Sequence, residues 1–96
     1  MKNEIDYRLV LDVFEKIHTH GKAEQGAHVL EGITASTDFD GYTVFLEGHR
    51  TKLRLEFHNK YHLDYESARD FDAFMRKLEQ ISNDYDSKIE TDQNRP

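Results

Sequence analysis

Two stretches of this chain carry side chains of the types and spacing that bind metal ions. The first is Ser36-x-Asp38-x-Asp40-Gly41, followed by Glu47. It sets oxygen donors and a turn glycine at the first, third, fifth, sixth and twelfth places of an EF-hand calcium loop. Ser36 brings no carboxylate to the first place, and Thr43 stands where such a loop carries an apolar strand residue. Gly48–His49–Arg50 is a turn where an exiting helix belongs. Asp and Gly favour tight turns for their own backbone reasons, so the segment reads as a hairpin. The second stretch holds Glu56, His58, His62 and Asp64. Two imidazoles and two carboxylates suit zinc or a first-row transition ion where the backbone brings them to one surface.

Other chemistry is sparse. His18–Thr19–His20 suits the negative end of a helix dipole and reads as a helix terminus. The chain has no G-x-S-x-G, no H-E-x-x-H, no glycine-rich phosphate loop and no S-x-x-K. No carboxylate pair is marked by an apolar setting that would shift its pKa. The expectation is a non-enzymatic protein without a cofactor. Protein contact is the remaining possibility, and four residues are candidates for it. Phe45 is an aromatic beside Arg54 on an otherwise charged strand face, and Tyr7 and Leu11 widen the apolar arc of the first helix. Aromatic residues and arginine are enriched in protein interfaces. The plainer reading is a cation–π pair of Phe45 with Arg54, and a Lys22–Gly32 loop folded over Leu11.

The elements that must position these residues follow from periodicity. Ile5, Leu9, Val10, Val13, Phe14 and Ile17 form one helix face, with Asn3 as its cap and Gly21 as its left-handed end. Lys22 to Gly26 reads as a polar loop. Ala68, Phe71, Phe74, Met75, Leu78, Ile81 and Tyr85 form a second helix face, opened by the capping sequence Ser67–Ala68–Arg69–Asp70. Between the helices the period is two: Tyr42, Val44 and Leu46, then Leu53, Leu55 and Phe57, then Tyr61, Leu63 and Tyr65.

Register follows from keeping one face apolar. Asp40–Gly41 is a two-residue hairpin signal that pairs Phe39 with Tyr42 and Ala35 with Leu46. Placing Leu46 and Leu53 on one face sets Glu47 opposite Lys52 and Phe45 opposite Arg54. Placing Leu63 with Phe57 sets Glu56 opposite Asp64 and His58 opposite His62, across a loop of Asn59–Lys60–Tyr61. The predicted fold is α+β and two-layered, a four-stranded antiparallel meander with N- and C-terminal helices packed on one face, αββββα. One domain spans residues 1–82, with a frayed helix end and disordered polar tail over 83–96.

Composition bounds the function. Ninety-six residues, 36% of them hydrophobic and 33% charged, allow one small core. The net charge of −6 argues against binding a phosphate backbone, so no nucleic acid partner is expected. The absence of Cys removes disulfides, thiolate metal sites and cysteine nucleophiles. With no apolar run of membrane-spanning length and no apolar leader, the expectation is a soluble cytoplasmic protein without a membrane partner.

Asp38–Phe39–Asp40–Gly41–Tyr42–Thr43 and Phe57–His58–Asn59–Lys60–Tyr61–His62–Leu63–Asp64–Tyr65, with the opening Met1–Lys2–Asn3–Glu4, carry a resemblance. The chain resembles, over about residues 1 to 82, a family of small gammaproteobacterial proteins catalogued as domain of unknown function 3081. The resemblance implies a single bacterial cytoplasmic domain and assigns no ligand, activity or catalytic residue.

The leading reading is therefore a protein-interaction module whose partner is another protein or a second copy. Its rival is a metal- or small-ligand-binding domain using the outer sheet face. A third reading, an acidic mimic of nucleic acid, fares worse because Lys52, Arg54, Lys60, Arg69, Arg76 and Lys77 are interspersed with the acids. One titration separates the first two. The interaction reading has zinc leaving the melting temperature unchanged. A ligand site at His58, His62, Glu56 and Asp64 would raise it with the logarithm of metal concentration, and His58→Ala with His62→Ala would abolish that rise.

Overall fold

The structure, a computed structural model, describes residues 5–39, 41–56 and 60–85. Its first helix, α1, runs Tyr7–His20 and is capped by Asp6, whose carboxylate accepts from the Arg8 N–H at 3.0 Å. The helix starts later than its apolar period predicts because Asp6 is itself a strong cap. Its carbonyl takes the first helical hydrogen bonds, from Leu9 at 3.0 Å and Val10 at 3.2 Å. Asn3 lies outside the described residues. Gly21 ends α1, but in extended backbone (φ −83, ψ 174) rather than a left-handed turn. It is glycine because a Cβ there would stand 2.5 Å from the Ile17 carbonyl oxygen and 2.7 Å from that of Val29.

The chain leaves Gly21 directly into a sheet of six strands, not four. These are β1 (Lys22–Glu24), β2 (Ala27–Leu30), β3 (Ile33–Thr37), β4 (Val44–Gly48), β5 (Thr51–Glu56) and β6 (Lys60–Tyr65), an antiparallel meander in chain order. The expected loop over residues 22–32 is therefore corrected to a strand pair and its turns. β1 is exposed throughout and β2 half-buried throughout, so neither shows the alternation that marks a strand. Two-residue turns with positive φ at both positions make them: Gln25 and Gly26 at 48 and 85, Glu31 and Gly32 at 56 and 83. His49 and Arg50, at 48 and 55, join β4 to β5 in the same way.

The turn with the strongest hairpin signal behaves differently. β3 ends at Thr37 and β4 begins at Val44, leaving a wider loop around Asp38. The Asp38 carboxylate accepts from the N–H groups of Gly41 (2.8 Å), Tyr42 (3.1 Å) and Thr43 (3.3 Å). This side-chain capping replaces the expected ladder pair of Phe39 and Tyr42. Those residues are 102% and 67% exposed, not on the inner face. Ala35 does pair with Leu46, Phe45 with Arg54, Leu46 with Leu53 and Glu47 with Lys52, as parity requires.

Between β5 and β6 the parity holds but the register is corrected. Glu56 faces Lys60, Arg54 faces His62 and Lys52 faces Asp64, four residues along β6 from the expected pairing. Glu56 and Lys60, and Lys52 and Asp64, are now opposed with opposite sign, where the expected register set Glu56 against Asp64. Lys60 and Tyr61 belong to β6 rather than to a loop, and Phe57, His58 and Asn59 lie outside the described residues.

Ser67 caps the second helix, α2 (Ala68–Asp84), by accepting from the Asp70 N–H at 3.1 Å. Asn83 and Asp84 complete the helix and Tyr85 caps it. Residues 86–96 lie outside the described residues. Both helices cover the same face, α1 over β1, β2 and β3, α2 over β5 and β6. Val10, Val13 and Ile17 meet Ile33, Ala35, Leu46, Leu53 and Leu55 beneath Phe74, Leu78 and Ile81 in one core. The helices are also tied to each other. The buried Lys16 ammonium donates to Asp12 at 2.9 Å and to the Ser82 carbonyl at 2.7 Å, and the Ser82 hydroxyl donates to Asp12 at 2.6 Å. No helix of the described residues is long and apolar enough to cross a membrane.

Phe74 is fully buried, so Phe74→Ala is expected to destabilise the fold by about 3–5 kcal/mol in denaturant titration. Gly21→Ala should cost about 1–3 kcal/mol although it adds only a methyl, because backbone must move to admit it.

Candidate functional site

With both helices on the inner face, the outer face of the sheet carries no covering element among the described residues. Strand pairing places Ser36, Phe45, Arg54 and His62 side by side across β3 to β6. Thr34, Glu47, Lys52 and Asp64 form the neighbouring row. All of these but Thr34 line a depression of about 690 Å³ with half-buried Phe45 within it. The alternation that buries Leu46, Leu53 and Leu55 is what turns these side chains outward.

Glu56 organises one end of this face. Its Oε2 receives Arg54 Nε at 2.9 Å, and His62 Nε2 lies 3.5 Å from the same oxygen. The guanidinium thus neutralises the carboxylate that the metal reading assigns as a ligand. Asp64 stands opposite Lys52, and His58 lies outside the described residues. Among the described residues no three His, Asp or Glu side chains are grouped to hold a metal ion. In the calcium-like segment, Asp38 is occupied as a turn cap, and Glu47 pairs with Thr34 far down the ladder from it. Desolvation raises the Asp38 pKa, but the N–H donors of Thr43, Gly41 and Tyr42 outweigh it and hold the carboxyl below its ordinary value.

The four contact candidates separate into two pairs. Phe45 and Arg54 are direct cross-strand neighbours on the outer face. Tyr7 and Leu11 sit one turn apart on α1, 39% and 42% exposed, in the helical layer on the other side of the sheet. The β1–β2 hairpin leaves Leu11 uncovered.

Two clusters had no sequence signal, because both depend on the unforeseen β2 and its turns. His18 of α1 packs on His28 of β2 with ring centroids 4.4 Å apart, beside Phe14 and Glu15 at a depression of about 330 Å³. At the other end of α2, the Tyr85 hydroxyl donates to Glu31 Oε2 at 2.8 Å, and Lys77 reaches Glu31 Oε1 at 3.5 Å. This ties the helix end to the β2–β3 turn. The Tyr85 hydrogen bond, joined by the Lys77 charge, holds the Glu31 carboxyl below its ordinary value. The same bond to Glu31 raises the Tyr85 phenol.

Residues 5–88 match the family described as Protein of unknown function (DUF3081). The chain belongs to this family. No curated protein and no solved structure matches it. Family membership brings no assigned residue, so the outer face and the two clusters rest on geometry alone.

Because the Glu31 pKa is lowered in the folded state, its contribution is present above the unfolded value of 4.5 and lost as pH falls through the folded value. Tyr85→Phe removes the main cause. Melting curves recorded from about pH 3 to pH 7 should show a shallower acid loss for the variant than for the parent protein.

Proposed function

We propose that this domain is a protein-interaction module, not an enzyme, and that it binds another protein through the outer face of its sheet. One observation carries the reading: Phe45 projects, beside Arg54, from the middle of a face that no element of the described residues covers. A half-buried aromatic beside an arginine, ringed by paired charges, has the composition of an interface centre with a polar rim. Arg54 adds a planar donor already oriented by Glu56, which lowers the ordering penalty on contact. The reading leaves catalysis out because the sequence offers no nucleophile motif and the face offers no isolated acid–base pair. Tyr7 and Leu11 form a secondary surface on the helical layer.

A comparison of variants in affinity capture tests the choice of face. Phe45→Ala should abolish capture of a specific partner while the melting temperature changes little, and Leu11→Ala should leave that capture intact. Loss with Leu11→Ala and retention with Phe45→Ala would move the interface to the helices.

A further inference from the structure

The two edges of the sheet are built differently. β1 is a three-residue strand with charges at both ends, Lys22 and Glu24. Short, charged edges resist further pairing. β6 is six residues long, contains neither proline nor glycine, and pairs with β5 alone among the described residues. Such an edge presents backbone donors and acceptors to any strand that can match it.

The side chains of β6 specify which strand that is. On the outer face of β6, Lys60 and His62 lie in the first half and Asp64 in the second, and Glu66 follows the strand directly. On the inner face, Tyr61, Leu63 and Tyr65 are apolar. An antiparallel copy reverses the order. With Leu63 on the two-fold axis, Lys60 would meet Glu66 of the copy and His62 would meet Asp64, while Tyr61 would meet Tyr65. Sliding the copy by one further pair toward Glu66 sets Asp64 against Asp64, so one register is favoured over its neighbour.

We infer that β6 pairs with β6 of a second copy of this chain, antiparallel about Leu63, to make one continuous sheet through two domains. The occupant is a second copy, because the charge order along β6 is complementary to its own reversed sequence. The pairing places the two outer faces, each with its Phe45, on one side of a common sheet. The inference rests on the interaction reading and adds to the contact proposed at Phe45 a second one, with another copy, at the sheet edge.

Sedimentation equilibrium of the full chain over about 5–500 µM tests this, because self-association follows mass action. The expected mass rises from 11.4 kDa towards twice that value. His62→Glu keeps an opposite-signed partner in Arg54 of the same chain but sets the new carboxylate against Asp64 of the copy, so this variant should stay monomeric with its melting temperature little changed. Amide exchange on the unaltered protein supplies a measurement independent of the variant: β6 protection should rise with concentration while β1 does not change. A parent protein that stays at 11.4 kDa, or a dimer whose formation leaves β6 exchange unaltered, overturns the inference. A monomer that still captures a partner through Phe45 would sink the dimer and leave the interaction reading standing.

Discussion

Ala35, Leu46, Leu53 and Leu63 stand side by side across four strands, and the rest of the molecule is arranged around that row. Each must face the helices, because the chain has too few apolar side chains to cover two faces. Once the row is set, strand parity sends Ser36, Phe45, Arg54 and His62 outward in the next row, with no further freedom. α1 and α2 then divide the covered face between them. The close approach of α1 to β2 at Gly21 and the Lys16–Asp12–Ser82 tie hold the helices in place. The polar tie is internally satisfied: the buried ammonium has a carboxylate and a carbonyl, and the carboxylate also has a hydroxyl.

Parity alone permits several registers between β5 and β6, differing by two residues on each strand. The choice among them is electrostatic. The observed ladder opposes Glu56 to Lys60 and Lys52 to Asp64, and cross-strand pairs of this kind contribute about 0.2–1 kcal/mol each. It also sets Leu63 beside Leu53 in the inner row. The same choice decides what the outer face can do. It brings Arg54 to Glu56 and leaves His62 at the margin of that pair, whereas the register with facing imidazoles would have built a ligand pocket.

The helices, β5 and the pairings of β4 with its neighbours were legible in the sequence because each has a clean period and a buried row to anchor it. β1 and β2 were not. Their residues are exposed or half-buried, and their turns are Gln–Gly and Glu–Gly, whose left-handed first positions leave no compositional mark. The Asp40–Gly41 signal was legible in part. Ala35 pairs with Leu46 and the Asp38 N–H donates to the Thr43 carbonyl at 3.1 Å, but the Asp38 carboxylate captures three backbone N–H groups and Phe39 and Tyr42 are exposed. Asp40 lies outside the described residues. The pairing of Phe45 with Arg54 was legible for the same reason as the core. The His18–His28 and Tyr85–Glu31 contacts were not, since both need β2 or the turn after it in place.

Phe45 is the residue whose presence folding does not explain. Its neighbours on β4, Val44 and Leu46, face the helices and join the core, so the strand is anchored without it. The position opposite Arg54 could carry a threonine or a glutamate at equal or better cross-strand complementarity. An aromatic there leaves a large apolar surface partly in water, on the face with no helix to receive it. A sheet built only to support its helices would have a polar outer side, as Thr34, Glu47, Lys52 and Asp64 do. Two apolar side chains depart from that pattern, Phe45 and Val29 (opposite Thr34), and only Phe45 stands beside an arginine held in place by its own carboxylate. That combination is what favours the outer face as the contact surface in the proposed reading.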